Sequence, residues 1–383
     1  MPRIRLARRR ARPGDAAVFS VPARVGSRAS RRSRAVAAVA SLLAVSTLAT
    51  GCAVGVHASP SAGGYAAFQG PVGGDTVTLR EQFESSPSAT HEYWADPTKF
   101  ENASPVGITA PDSGISPGAG DPATGQFVKP TDNRDFAASP NVYPPTPQAQ
   151  TYDRAGLGAS TFGRLYMQFA DGESVCSATV INSPTRNVVI TAAHCVYDTS
   201  NGNTPARSVI FVPGDRNNAQ QQPYGVWAAT TVSAPQQFRD HAASKPSGEA
   251  TGPEGWAYDF AFLTIEEKNG QRIQDVTGGQ GIAFGVPIDG LVQVGYPSAP
   301  PFKGTEEFMC ASQVWKQSWS AGYTHQCDMT PGSSGGGWTT NYDTKAGSGY
   351  IVGVTSTGND TTANGSVLGS TAQQLYQSIA QAG

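Results

Sequence analysis

The sequence predicts an all-β domain over residues 151–383, divided into two comparable halves and closed by a short helix. Three observations lead to this prediction: many short apolar runs, Gly and Pro residues between them, and a break near residues 268–281. Short strands with such punctuation are typical of a sandwich or barrel rather than of a parallel sheet. Residues 1–51 are predicted to be an export signal, and residues 52–150 a Pro/Gly/Ser-rich linker or propeptide.

The leader combines a basic region with an apolar one. Residues 1–34 hold eleven arginines and one acid, Asp15, and an apolar stretch of 16 residues follows from Ala35 to Thr50. This order indicates a signal peptide, and 16 residues are short for a spanning helix. Without residues 1–34, the 27 basic and 29 acidic residues become 16 and 28, a net charge of −12. Such an acidic protein is not expected to bind nucleic acid.

Two processing sites are present near the end of the leader. The segment LATGC, ending at Cys52, resembles the lipobox of bacterial lipoproteins, in which the cysteine receives a diacylglycerol. Cleavage after Ala58 is the alternative and would release a soluble protein that begins at Ser59. Lipidation of Cys52 is favoured, so we expect an exported protein, anchored at the cell surface through this lipid alone or freely secreted.

The stretch from Ala53 to Gln150 contains 13 prolines and shows no sustained periodicity. Its composition cannot bury enough apolar surface to offset ordering, so a disordered spacer is predicted. A short island, Asp75 to Phe83, is a candidate strand or helical turn. Docking of this island on the catalytic domain, or a propeptide role, remains the alternative.

The predicted strands follow one another along residues 151–383. Those of the first half have the sequences FGRLYMQF, VCSATVI, NVVIT, SVIFV, VWAATTV and DFAFLTI. Those of the second half have the sequences LVQVGYP, QVWKQSWS, GGWTT and YIVGVTS. The tail TAQQLYQSIAQ is predicted to be helical, with Thr371 as a candidate cap.

Three residues carry the groups that together activate a serine nucleophile. His194 in TAAHC is the candidate base, Asp259 before the run FAFLTI is the candidate partner of its ring, and Ser334 in GSSGG is the candidate nucleophile. Each has a plainer interpretation: a packed histidine, a turn aspartate and a flexible Gly/Ser loop. The competing acids, Asp240 and Asp275, do not precede an apolar strand.

The glycines around Ser334 have a predicted purpose. To form an oxyanion hole, the backbone must turn so that the amides of Gly332 and Ser334 both point at the developing oxyanion. Side chains at the glycine positions would obstruct that turn. The sequence therefore predicts both amides as donors to a developing negative charge.

Four cysteines remain besides Cys52. Pairing of neighbours in sequence gives Cys176–Cys195 and Cys310–Cys327, which is one of three possible connectivities. A zinc site is the alternative, but the sequence has no CxxC or HxxxH spacing. Disulfides are predicted, with no metal and no cofactor.

The region from about Phe162 to the C-terminus resembles the chymotrypsin-fold serine peptidases, in particular their bacterial secreted, glutamyl-endopeptidase-like branch. The motifs are CSATV, VVITAAHC, YDFAFLTI, CDMTPGSSGGGW and YIVGVTSTG. The resemblance implies two six-stranded antiparallel barrels with the active site between them. It also implies a monomeric serine endopeptidase that acts on peptide or protein substrates. Ser333 replaces an Asp that in the animal enzymes pairs with a freed N-terminus, so activation by that ion pair is not expected.

The same resemblance suggests a substrate pocket. Asp328 lies six residues before Ser334, where trypsin-like enzymes place the acid that binds Arg or Lys. Thr355 stands where glutamyl-specific relatives have a histidine, and His325 is a candidate replacement or a surface histidine. The edge from Ser356 to Gly358 is expected to pair with an extended peptide.

Two further functions stay open at this point. One is a peptidase-like binding protein without turnover, and the other is an esterase that uses the same three residues. The presence of all three residues favours catalysis over binding alone.

Overall fold

Residues 79–110, 124–136, 145–153, 155–316 and 322–380 are described by the computed structural model, and all of them belong to the unit Ser61–Gly383. The predicted export signal and Cys52 lie outside the described residues. Among the described residues, no helix combines the length and the apolar character needed to cross a membrane.

Six short elements lie among the described residues of the region that precedes the predicted domain. They are β1 (Leu79–Gln82), α1 (Pro87–Tyr93), α2 (Pro97–Asn102), β2 (Ser104–Pro105), β3 (Gln126–Val128) and β4 (Thr146–Thr151). The Ser86 hydroxyl caps α1 by accepting the Ala89 N–H, and proline occupies the first turn of each helix, where its missing N–H costs nothing.

The first half of the domain forms a closed barrel of six antiparallel strands. Its elements are α3 (Gly158–Thr161), β5 (Phe162–Gln168), β6 (Glu173–Ile181), β7 (Val188–Thr191), a 3-10 helix (Ala193–Cys195), β8 (Tyr197–Asp198), β9 (Thr204–Pro205), β10 (Ser208–Pro213), β11 (Trp227–Ala234), α4 (Gln236–His241), β12 (Ala243–Ser244), β13 (Ala250–Thr251), α5 (Pro253–Trp256) and β14 (Ala261–Ile265). The strand order around the barrel is β11-β10-β5-β6-β7-β14, and β14 pairs back to β11.

The second half forms another closed barrel of six antiparallel strands. Its elements are α6 (Ile273–Thr277), β15 (Gly281–Phe284), β16 (Gly290–Gly295), β17 (Phe308–Lys316), β18 (Tyr323–Gln326), β19 (Gly337–Asp343), β20 (Ser348–Gly358), β21 (Thr362–Val367) and α7 (Ser370–Ala380). The order is β19-β16-β17-β18-β21-β20, closed by pairing of β19 with β20. Two six-stranded barrels with a short C-terminal helix confirm the predicted fold.

The core is continuous between the barrels. The largest buried cluster includes Leu165 and Phe262 from the first barrel and Val294 and Ile351 from the second. Helix α7 places Leu375, Tyr376 and Ile379 in the same cluster. This helix begins at Ser370, so Thr371 lies inside it and does not cap it.

The residues before the domain pack on both barrels. Strand β1 pairs antiparallel with β11, β3 with β15 and β4 with β17. The ring of Trp94 lies 5.1 Å from that of Phe100 and 5.8 Å from that of Tyr166 on β5. This arrangement differs from the predicted spacer, because a few large aromatic residues supply the buried area that the average composition lacks.

Candidate active site

His194 lies in the 3-10 helix that follows β7. The helix is tied to β6 by the Cys176–Cys195 disulfide, with 6.1 Å between the two Cα atoms. His194 is 3% exposed, and its ring centroid lies 5.8 Å from that of Trp256. The disulfide at the neighbouring Cys195 and the packing of Trp256 against the imidazole therefore both restrain His194.

Asp259 is fully buried just before β14 and holds His194 at two points. Its Oδ1 accepts the His194 backbone N–H at 2.9 Å, and its Oδ2 accepts the Nδ1–H at 2.7 Å. Because the carboxylate only accepts, the hydrogen of the neutral ring is on Nδ1 and Nε2 is left as an acceptor. This is the tautomer that a general base needs.

A third hydrogen bond to Asp259 comes from the second barrel. The Ser356 hydroxyl, on β20, donates to Asp259 Oδ2 at 2.6 Å. The sequence predicted Ser356 only as part of a peptide-binding edge, because no local pattern reveals a partner 97 positions away. The bond fixes the acid relative to both barrels.

Ser334 lies in the loop between β18 and β19 and is 4% exposed. Its carbonyl accepts the Ser177 N–H at 2.7 Å. The next residue, Gly335, has φ +77°, and a Cβ there would lie 2.1 Å from Thr191 Oγ1. The loop of Ser334 therefore packs closely against Thr191, three residues before His194. Only glycine fits at this contact.

The Ser334 hydroxyl forms no hydrogen bond within the described part of the chain. His194 Nε2 lies 3.9 Å from Cys195 Sγ. The structure thus brings His194 and Asp259 into direct contact and places Ser334 on the adjoining loop, without the serine–histidine hydrogen bond. Such bonds often form only when substrate binds.

The predicted oxyanion donors lie on the same loop. Gly332 has φ +100°, and a Cβ there would lie 2.6 Å from Ser298 Oγ and 2.7 Å from the Tyr296 carbonyl oxygen. Only glycine fits this turn. Its N–H donates to the Val106 carbonyl oxygen at 2.8 Å. The neighbouring Ser333 hydroxyl bonds locally, to the Thr330 carbonyl at 2.9 Å.

The predicted pocket residues have different environments. Asp328 Oδ1 accepts the Ala149 N–H of β4 at 2.6 Å. Thr355 is buried, and its hydroxyl accepts the Trp338 Nε1–H at 3.1 Å. Gly358, at the end of β20, donates its N–H to the Ile108 carbonyl at 3.0 Å. Two of these contacts come from the region before the domain, which the sequence did not indicate.

His325 is fully buried in the second barrel, contrary to the surface position that the sequence suggested. Its Nε2–H donates to Gln293 Oε1 at 2.6 Å, and Nδ1 accepts from the Ser312 hydroxyl at 3.1 Å. Its ring lies edge-on to Trp338 with 4.8 Å between centroids. Burial lowers the pKa of His325 to about 3. A neutral ring with both nitrogens bonded offers no cation to a substrate.

Both predicted disulfides, Cys176–Cys195 and Cys310–Cys327, are present. The sulfurs of Cys176 and Cys195 lie within 4.8 Å of a His194 nitrogen. They are bonded to each other, so they offer no thiolate to a metal ion. Two disulfides are typical of a protein that folds in an oxidising, extracytoplasmic compartment.

No protein-family model and no curated protein matches this sequence. Solved structures do match. Protease Anisep from Arthrobacter nicotinovorans is 29% identical with a TM-score of 0.52, over 61% of this chain and 100% of that one. A thermostable serine protease, AL20, from an extremophilic microorganism is 28% identical, with a TM-score of 0.49 over 59% and 100% of the two chains. A Glu endopeptidase is 18% identical, with a TM-score of 0.46 over 61% and 97%.

The protease Anisep match and the two closed barrels agree with the resemblance drawn from the motifs. From about Phe162 onward, this chain has the double-barrel fold of the chymotrypsin-type serine proteases.

Proposed function

We propose that this chain is a serine endopeptidase in which Ser334 is the nucleophile, His194 the general base and Asp259 the residue that orients the base. The buried His194–Asp259 pair, bonded through Nδ1 at 2.7 Å beside the Ser334 loop, carries the proposal. A plain packed histidine would not need two hydrogen bonds to one buried carboxylate.

The reaction follows from these positions. Ser334 Oγ attacks the carbonyl carbon of the peptide bond while its proton passes to His194 Nε2, and Asp259 stabilises the imidazolium. The Gly332 and Ser334 amides bind the oxyanion. Collapse breaks the C–N bond, the leaving amine takes the proton from Nε2, and an acyl ester stays on Ser334. Water then repeats the cycle, giving its proton to Nε2, which returns it to Ser334 as the acid leaves.

The cellular setting belongs to the same proposal. The two disulfides support export, with the chain anchored through a lipid on Cys52 or secreted from Ser59. We infer a monomer that acts on peptides or proteins, without metal or organic cofactor. Asp328 remains the candidate for selecting the residue before the cleaved bond.

A fluorescent fluorophosphonate probe tests the proposal directly. The full-length chain is incubated until labelling reaches a plateau, and the labelled peptide is mapped by mass spectrometry. Ser334→Ala is expected to abolish labelling. Ser333→Ala is the matched control and is expected to label fully, because the Ser333 hydroxyl bonds to the Thr330 carbonyl. Labelling at another residue, or equal labelling of Ser334→Ala, would refute the assignment.

A further inference from the structure

A short segment from the region before the domain crosses the candidate active site. It comprises Val106 to Thr109 and is called the strap below. Val106 donates its N–H to the Val175 carbonyl of β6 at 3.0 Å, and its own carbonyl accepts the Gly332 N–H at 2.8 Å. The amide that would bind the oxyanion is therefore already bonded to a peptide carbonyl of the same chain.

The other end of the strap occupies the peptide-binding edge. The Ile108 carbonyl accepts the Gly358 N–H at 3.0 Å. Thr109 donates to the Gly248 carbonyl at 2.9 Å, and its carbonyl accepts the Ala250 N–H at 2.9 Å. The strap is thus bonded to both barrels, and every one of these five hydrogen bonds uses its backbone.

At position 107 the strap requires glycine. A Cβ at Gly107 would lie 2.4 Å from Pro331 Cγ and 2.6 Å from Pro331 Cβ. Pro331 directly precedes Gly332, so the strap lies in contact with the loop that carries the oxyanion donor. Any side chain at position 107 would have to displace the strap or that loop.

The strap is held in place by the elements before it. Strand β1 is paired with β11 over four residues, and Trp94 and Phe100 are buried against Tyr166. Lys99 forms an ion pair with Glu173 at 2.8 Å, close to where β2 pairs in parallel with β6. The strap therefore enters the cleft from a docked segment.

We propose that the strap is an internal inhibitor, which occupies the Gly332 amide and the Gly358 edge and keeps an extended peptide substrate out. The proposal rests on the proposed function of the same site. Backbone bonding at Gly332 and Gly358 also defines the ligand class, since an edge that pairs with main-chain groups accepts extended peptides rather than small esters. Activation then requires displacement of the strap.

The test compares three full-length proteins: wild type, Gly107→Val and Ser104→Val. Valine at 107 collides with Pro331, whereas Ser104 is exposed and lies outside the strap, so Ser104→Val is the matched control. Hydrogen exchange measured by mass spectrometry reports on the strap amides and on Gly332 and Gly358, independently of activity. The rate of fluorophosphonate labelling reports on access to Ser334.

The expected result is slow exchange in wild type and Ser104→Val, and fast exchange with labelling about tenfold faster or more in Gly107→Val. Fast exchange of the strap amides in wild type would overturn the proposal. Equal labelling rates for wild type and Gly107→Val would also overturn it, provided that exchange shows the strap released in Gly107→Val. Cleavage between Val106 and Gly107 in wild type but not in Ser334→Ala would also overturn it, because the strap would then be a substrate. No labelling of any protein, with the strap released in Gly107→Val, would instead refute the proposed function and the inhibition that rests on it.

Discussion

Asp259 is a fully buried acid that depends on its hydrogen-bond donors. It is fully buried, and its carboxylate accepts hydrogen bonds from the His194 amide, the His194 ring and the Ser356 hydroxyl. A buried carboxylate is costly unless such donors surround it. Its three donors fix its orientation, and the ring of His194 takes its tautomer from it.

The Asp259→Asn variant is expected to label with the fluorophosphonate probe about 10⁴-fold more slowly, with little change in stability. An amide that donates to Nδ1 forces the ring hydrogen onto Nε2, where it blocks proton transfer from Ser334. Asp240→Asn is the control, since Asp240 is exposed on α4 and bonds to Gln236. Similar labelling rates for both variants would contradict the role of Asp259.

His325 gives a prediction about pH. Its folded-state pKa of about 3 lies below the unfolded value near 6.5, so the unfolded chain binds a proton that the folded one does not. Stability from this group is complete above about pH 6.5 and is lost as the pH falls, by about 1.4 kcal/mol per pH unit.

Urea unfolding between about pH 4 and pH 6 measures this slope. His325→Gln keeps a polar group in the site but cannot take up the proton, so the variant is expected to have a shallower slope than wild type by about one proton. The comparison uses the slopes, and a general loss of stability in the variant does not affect it. Equal slopes would contradict the assignment.

Among the elements, the two disulfides have similar loops but different surroundings. The separations are 19 residues for Cys176–Cys195 and 17 for Cys310–Cys327, so the entropy model gives each about 3 kcal/mol. Only the first bridge includes the residue next to His194.

Replacing both cysteines of either bridge by alanine is expected to destabilise the protein by about 3 kcal/mol, measured by urea unfolding. Loss of Cys176–Cys195 should also slow probe labelling by about tenfold relative to loss of Cys310–Cys327, because a small displacement of the base impairs catalysis. An equal slowing in the two variants would show that the first bridge does not position His194.

Local strand patterns predicted an all-β domain in two halves with a C-terminal helix, and the motifs that resemble the chymotrypsin-fold peptidases supplied the two six-stranded barrels. The second half was predicted with four strands, so β18 and β21 were missed. Both disulfides were predicted by pairing neighbouring cysteines. His194, Asp259 and Ser334 each stand in a short sequence whose neighbours define a strand, a tight turn or a glycine loop. The contacts of Ser356 and Val106 could not be predicted, because each joins residues far apart through a single backbone or hydroxyl group. Strand β1 lies in the island Asp75–Phe83, whose docking the sequence left open as an alternative to a spacer. The docking of α1 and α2 was not predicted, because Trp94 and Phe100 are two aromatics in a region of low average hydropathy.

At the scale of the whole molecule, Arg164 links the barrels. It lies buried on β5 and donates to the Gly304 carbonyl at 2.7 Å and to Ser298 Oγ at 3.2 Å, both in the loop between β16 and β17. Asp215 lies 3.8 Å from the guanidinium and also accepts the Tyr166 hydroxyl at 2.6 Å. The charge pair is enclosed where the two halves meet.

The Arg164→Met variant is expected to lose about 3–5 kcal/mol of stability, because removing one partner of a buried ion pair is strongly destabilising. The control is Arg186→Met, which removes a half-exposed ion pair with Asp275 and should cost less than about 1 kcal/mol. Urea unfolding of the two variants measures the difference. Comparable losses in the free energy of unfolding would show that the buried pair contributes no more to stability than the half-exposed one.

The docking of residues 79–102 has a kinetic consequence for the strap. A ligand tethered to its own site has an effective concentration that dilution does not change, so occupancy of the cleft is a unimolecular equilibrium. One cut within residues 111–123 would leave β1, α1 and α2 on the first barrel, with the strap still attached to them. Inhibition would then become bimolecular, and the onset of activity would depend on protein concentration and on the dissociation rate of the severed chain.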